Sequence, residues 1–316
     1  MANKKILITY DDLTEDHLSQ IREVSNNIEL RLVKDNKKIP KVGKDAEILF
    51  GSIDRDEFKL LDNLEWIQVP SAGVDDQLFP ELIESDVTLT TTSGIHRVPM
   101  SEISITMMLM FAKKLNEFMH SQTRNEWNKR TPDELEGTYA GILGLGSVGM
   151  ETAWKAYGLG MKVVGLKKSR INRPSYIEEI LGPKDLDYFL EKADYMVITL
   201  PLTDETKYMI GERELKLLGN DSYLINVGRG AIVDNEALLE GLQKNWIAGA
   251  GLDVFKEEPL PEESKLWDLE NVIITPHIAG DNPHYEDRAT EIFCKNLKKF
   301  LHGTELVNKV DKVSGY

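Results

Sequence analysis

The chain has 316 residues, about two domains of roughly 150 residues each. It carries 38 Lys and Arg against 53 Asp and Glu, a formal net charge of −15. This argues against nucleic-acid binding, which needs a basic face to displace counterions from phosphates. No apolar run approaches the ~20 residues of a membrane span, the N-terminus lacks the pattern of a signal peptide, and the one cysteine, Cys294, can form no intrachain disulfide, so a cytoplasmic protein without membrane contact is expected.

Strand and helix patterns alternate along the chain. Short β-branched or apolar runs bounded by Gly, Pro, Ser, Asp or Lys predict strands at 5–10, 28–33, 46–51, 64–69 and 87–92. A helix is expected at 14–24 with Thr14 as N-cap. Residues 100–118 read as one long helix, apolar around most of its circumference, and 122–135 as a polar surface connection holding Trp127. Alternation then restarts, with strands at 139–143, 162–166, 195–200, 223–227, 248–254 and 272–274. Helices fit at 148–157, 186–191, 212–218, 235–244 and 285–301. Such alternation implies an α/β fold with parallel sheets covered on both faces.

Gly144-Leu145-Gly146-Ser147-Val148-Gly149 matches G-x-G-x-x-G, follows a predicted strand and opens a predicted helix. That context makes it a dinucleotide fingerprint. Gly144 permits the turn, Gly146 presents no Cβ to a pyrophosphate, Gly149 allows close packing, and the helix start at Ser147 and Val148 offers N–H groups to phosphate. An NAD site usually carries Asp or Glu at the end of the next strand, about 20 residues on. Here the strand ends in Lys167, Lys168, Ser169 and Arg170, which suit a 2′-phosphate, so NADP(H) is favoured over NAD(H). No Cys/His cluster suggests a metal.

Four further segments are Ser71-Ala72-Gly73-Val74-Asp75, Asn226-Val227-Gly228-Arg229-Gly230, Leu252-Asp253-Val254-Phe255-Lys256-Glu257-Glu258-Pro259 and Thr275-Pro276-His277. With the glycine loop, they make the chain resemble the D-isomer-specific 2-hydroxyacid dehydrogenase family over nearly its whole length. The resemblance implies two doubly wound parallel-sheet domains. A Rossmann NAD(P)-binding domain at 99–281 would be inserted into a flavodoxin-like substrate domain made of 1–98 and 282–316. The helices beginning at Met100 and Tyr285 would be the crossings, and the chain would form a homodimer along the first of them.

The implied activity is hydride transfer between NAD(P)H and a small 2-oxo acid, giving a D-2-hydroxy acid, of the glyoxylate/hydroxypyruvate-reductase kind or broader. Arg229, Glu258 and His277 match the family's catalytic positions. Arg229 offers a planar cationic fork for a carboxylate, His277 a proton donor, and Glu258 a partner that orients His277. The resemblance adds Pro201, Thr206, Val227, Gly228, Arg229, Asp253, His277 and Gly280 to the cofactor site, Asp253 toward the nicotinamide carboxamide. It puts Ser71, Ala72, Gly73 and Val74 with Arg229 and His277 at the substrate. His96 and Arg97, at the end of the fifth strand, are further substrate candidates. The alternative is a dinucleotide-sensing, corepressor-like interaction protein on the same fold. Intact Arg229, Glu258 and His277 favour the enzyme.

Overall fold

The computed structural model describes residues 3–34, 39–71, 73–74, 77–169 and 171–313. Its backbone divides into two compact units, residues 1–95 with 282–316, and residues 96–281.

In the first unit, β1 (Lys4–Ile8), β2 (Ile28–Leu32), β3 (Ile48–Phe50), β4 (Trp66–Gln68) and β5 (Thr88–Thr90) form an all-parallel sheet in the order β2-β1-β3-β4-β5. This is the flavodoxin-like strand order. Strand periodicity sends alternate residues to opposite faces. Ile6, Ile8, Ile48, Phe50 and Trp66 pack on α1 (Glu15–Glu23) and the C-terminal helix Tyr285–Leu301. Leu7, Leu49, Ile67 and Leu89 face the opposite core with Ile39 of α2 (Ile39–Val42) and Leu82. Two short helices, α3 (Arg55–Phe58) and α4 (Pro80–Glu84), follow β3 and β4. Thr14 caps α1 as the sequence implies, in a reciprocal box whose third residue is His17: its Nδ1 accepts from Thr14 N at 3.1 Å.

In the second unit, α5 (Arg97–Ala112) and α6 (Leu115–Thr123) precede β6 (Tyr139–Leu143), α7 (Ser147–Gly158), β7 (Lys162–Leu166), β8 (Glu179–Leu181), α8 (Leu186–Lys192) and β9 (Tyr195–Ile198). Then come α9 (Glu212–Leu218), β10 (Tyr223–Asn226), α10 (Asn235–Gln243), β11 (Gly249–Leu252) and β12 (Val272–Ile274). The seven strands lie parallel in the order β12-β11-β10-β9-β6-β7-β8. One face buries Ile142, Val163, Val197 and Ile225 against Met107, Met108 and Phe111 of α5 and Ala153 and Ala156 of α7. The other buries Leu143, Val164, Met196 and Leu224 against Phe189, Leu215, Leu238 and Leu242 of α8, α9 and α10. Because all seven strands run one way, the loops after β6, β7, β9, β10, β11 and β12 leave the same carboxyl edge.

The short helices α2, α3 and α4 have no counterpart in the sequence expectation, and the second unit departs from it at one helix and one strand. The single helix expected at 100–118 starts earlier, at Arg97, and is two helices broken at Lys113-Lys114, where Lys114 takes a left-handed φ of 56°. The turn buries Asn116, whose Nδ2 donates to the Glu270 carbonyl at 3.0 Å. The apolar pattern runs through the break, so periodicity does not reveal it. The strand β8 was not expected either. Its three residues are half-buried at the sheet edge and carry no apolar alternation.

The first unit's core depends on Phe293, which stacks on Phe50 at a ring separation of 4.3 Å and on Trp66 at 5.2 Å. Phe293→Ala is expected to destabilise this unit by about 3–5 kcal/mol, seen as a lower urea midpoint. An unchanged midpoint would remove this stack from the stability of the unit.

Candidate active site

The glycine loop fits a dinucleotide for reasons that can be measured. Gly144 has a left-handed φ of 108°. A Cβ on Gly149 would lie 1.9 Å from the Gly144 carbonyl oxygen, whereas one on Gly146 would meet nothing within 4 Å among the described residues, which leaves room there for a phosphate. Gly146 is the N-cap of α7, Ser147 and Val148 are its first residues, and Met150 N is bonded back to Gly146 O at 2.9 Å. The N–H groups of the first turn therefore point out of the helix start, where its dipole favours an anion.

Side chains tie this loop down from behind. Thr199 Oγ1 donates to Gly144 O at 2.6 Å and Lys167 Nζ to Leu145 O at 2.7 Å. The Leu145 side chain is 2% exposed and seated on Gly165, where a Cβ would come within 2.4 Å of it. The strand-end cations expected to face a 2′-phosphate are thus differently employed. Half-buried Lys167 reaches the loop, and exposed Lys168 pairs with Glu205 at 2.7 Å. Ser169 is exposed, and Arg170 lies outside the described residues.

Further along the same sheet edge, the Thr206 hydroxyl donates to Pro201 O at 2.7 Å and shapes the loop after β9. After β10, Asn226 accepts from Gly228 N at 3.1 Å and its Nδ2 donates to Arg229 O at 3.0 Å, fixing the turn that carries Arg229. Val227 is buried, and a Cβ on Gly228 would stand 2.9 Å from Leu200 O. The Arg229 guanidinium donates to Gly228 O at 2.9 Å.

Asp253, at the end of β11, is 1% exposed. Its Oδ1 accepts from Thr275 Oγ1 at 2.6 Å and Ile278 N at 3.0 Å, and its Oδ2 from Ala279 N at 3.0 Å. The Asp253 carbonyl accepts from His277 N at 2.9 Å. These bonds wrap the segment after β12 around one carboxylate and hold His277 at a left-handed φ of 54°. His277 Nδ1 lies 2.6 Å from Glu258 Oε2, while Glu258 Oε1 accepts from Phe255 N at 2.8 Å. The His277 side chain is half exposed.

His96 is the N-cap of α5 and 9% exposed, with its ring against Gly280, where a Cβ would come within 2.8 Å of Cδ2. Burial, with the Arg229 guanidinium nearby, pushes its pKa down to about 4, so the imidazole is neutral at neutral pH. Arg97 instead pairs with Glu151 at 2.7 Å. In the first unit, Ser71 Oγ donates to Gly73 O at 2.7 Å, Thr92 N donates to Ser71 O at 3.0 Å and Val74 is buried; Ala72 lies outside the described residues.

Sequence reasoning missed Thr199, Asn226 and Thr275, which shape the loops. Asn226 and Thr275 adjoin the motifs, at the head of Asn-Val-Gly-Arg-Gly and Thr-Pro-His, and that adjacency was the available signal.

Residues 105–279 match the family described as D-isomer specific 2-hydroxyacid dehydrogenase, NAD binding domain. A glyoxylate reductase of Thermococcus litoralis is 32% identical over 312 residues, covering 92% of this chain and 93% of that protein. Two solved structures superpose with a TM-score of 0.87 at 26% identity. One is a D-isomer specific 2-hydroxyacid dehydrogenase from Xanthobacter autotrophicus Py2 in complex with NADPH and MES, with full coverage of both chains. The other is an NADPH-dependent glyoxylate/hydroxypyruvate reductase from Sinorhizobium meliloti in complex with NADP and sulfate, covering 99% of this chain and 100% of that one. The chain belongs to the D-isomer-specific 2-hydroxyacid dehydrogenase family. It is an NAD(P)-dependent dehydrogenase acting on 2-hydroxy acids, and the corepressor-like alternative finds no support in these comparisons.

Asp253→Asn replaces one acceptor oxygen by an NH2 group that must face a loop donor whichever way the amide turns. It is expected to cost about 1–3 kcal/mol locally and to lower kcat by roughly tenfold or more through a displaced His277. Steady-state kinetics with wild-type turnover would separate the buried carboxylate from the pose of His277.

Proposed function

We propose that the chain reduces a small 2-oxo acid, of the glyoxylate and hydroxypyruvate class, to the D-2-hydroxy acid, and that it favours NADPH. Residues 96–281 serve as the cofactor domain, and residues 1–95 with 282–316 as the substrate domain. The observation that carries this reading is the 2.6 Å contact of His277 Nδ1 with Glu258, on loops at the same sheet edge as the glycine loop. The names of the Thermococcus and Sinorhizobium relatives support the substrate class, and the bound NADPH and NADP of the two solved structures support the cofactor.

A bound nicotinamide dinucleotide supplies the hydride. Arg229 holds the substrate carboxylate with its planar fork and draws electron density from the neighbouring carbonyl oxygen. Glu258 accepts from His277 Nδ1–H and fixes the ring, which leaves Nε2 to deliver a proton to the forming alkoxide. In the oxidative direction the neutral ring takes that proton back. Asp253 holds the loop that aims the ring. The preference for NADPH rests on the lack of a carboxylate at the end of β7, where residues 167–170 include no Asp or Glu and the exposed Lys168 stands.

The chain is also proposed to form a homodimer through α5 and α6. Leu115 and Met119 are 46% and 58% exposed there, an apolar area that a second copy would cover. Light scattering at micromolar concentration is expected to report twice the chain mass, and a single-chain mass would reject the dimer.

The direct test of the activity is oxidation of NADPH and NADH, followed spectrophotometrically, with glyoxylate, hydroxypyruvate, pyruvate and branched or aromatic 2-oxo acids. Turnover is expected with the smallest acids. His277→Gln is expected to lower it by about 10²–10⁴-fold while dinucleotide binding survives. Near-normal turnover in that variant would remove His277 from proton transfer.

A further inference from the structure

The two lysines that end β7 are adjacent in sequence but engage different partners. Lys167 is half-buried and its ammonium sits 2.7 Å from the carbonyl of Leu145, inside the glycine loop. That carbonyl belongs to the residue whose side chain is clamped on Gly165, and the preceding carbonyl, of Gly144, is held by Thr199. Two consecutive carbonyl oxygens of the loop are thus tied back by side chains. A peptide carbonyl near a pyrophosphate would repel it, so tying these oxygens to donors keeps their dipoles occupied while the N–H groups of the first turn of α7 serve the anion. The pyrophosphate is common to both dinucleotides, so this strap cannot tell them apart.

Lys168 is exposed and its ammonium lies 2.9 Å and 2.7 Å from the two carboxylate oxygens of Glu205, in the loop after β9. Both side chains are well solvated, at 66% and 71% exposure. Exposed pairs of this kind are weak and exchange partners readily. A 2′-phosphate carries close to two negative charges and is the stronger ligand for an ammonium. To take Lys168 it must displace Glu205 and tolerate a carboxylate beside it.

We propose that Lys167 is a positioning residue of the glycine loop, serving NADH and NADPH alike, and that Lys168 with its counterion Glu205 sets the choice between them. Glu205 then acts as an internal competitor of the 2′-phosphate, so this chain prefers NADPH less strongly than its strand-end cations alone would give. The inference rests on the nicotinamide dinucleotide reading above and assigns the preference to one ion pair.

The test is calorimetric titration of the full chain with NADPH and with NADH, giving two dissociation constants for each variant. The wild-type ratio of the two constants measures the preference itself. The changes in that ratio measure the division of labour, so one can fail without the other. Lys167→Met is expected to weaken both dinucleotides by a similar factor, roughly tenfold, and Lys167→Arg, which keeps a donor for Leu145 O, to recover most of it. Lys168→Met is expected to weaken NADPH by roughly tenfold and leave NADH within about twofold. Glu205→Gln is expected to tighten NADPH by about three- to fivefold without moving NADH, an effect that shrinks as salt rises. A loss confined to NADPH in Lys167→Met would overturn the positioning role and make Lys167 a phosphate ligand. Unchanged affinity for both in that variant would overturn the strap. A Glu205→Gln protein that binds NADPH no better than wild type would overturn the competitor role.

Discussion

The Asp253 carboxylate is almost completely withdrawn from solvent and takes the Thr275 hydroxyl and the N–H groups of Ile278 and Ala279. A buried carboxylate is costly unless donors surround it, so the segment after β12 has one low-energy way to close over it. That closure carries His277 through a left-handed backbone conformation that a non-glycine residue adopts only when its surroundings impose it. Glu258 then meets Nδ1, itself held by Phe255 N. A carboxylate buried under the loop thus decides where the exposed imidazole of the site points.

A second constraint is the direction of the sheet. Seven parallel strands send the glycine loop, the Lys167–Lys168 pair, the Arg229 turn, Asp253 and the His277 segment out of one edge. These groups come from β6, β7, β10, β11 and the end of β12, and are far apart in sequence. Parallel strands need crossover connections, and the helices that make them cover the two faces while leaving the carboxyl edge open. The same geometry explains why loop glycines recur here. Gly149 admits the Gly144 carbonyl, and Gly165 admits the Leu145 side chain.

Much of this was legible in the residues. The strands β6, β7 and β12 have the bounds their apolar runs suggest, because each is a short run between clear breakers. The capping box at Thr14 was half visible, since a threonine before a helical pattern marks an N-cap, but the partner at the third position is a histidine. The motif segments carry the family likeness and the pairing of Glu258 with His277. The break at Lys114 was not legible, because apolar residues continue on both sides of it. The edge strand β8 was not legible, because it is held by pairing with β7 and buries no side chain fully.

Local chemistry is what the chain alone determined: an acidic protein built of alternating strands and helices, a phosphate-binding glycine loop, a strand end without a carboxylate, and an arginine, a glutamate and a histidine in family order. Propensity, spacing and residue type act over a few positions and are therefore readable from a string. The partners were decided by tertiary structure. Lys167 and Lys168 are indistinguishable in sequence, yet one lies over the Leu145 carbonyl and the other meets Glu205, 37 residues away. His96 is neutral because folding buries it near Arg229. Long-range contacts of this kind depend on strand order and on which face each residue takes, and neither is written in any local stretch of the chain.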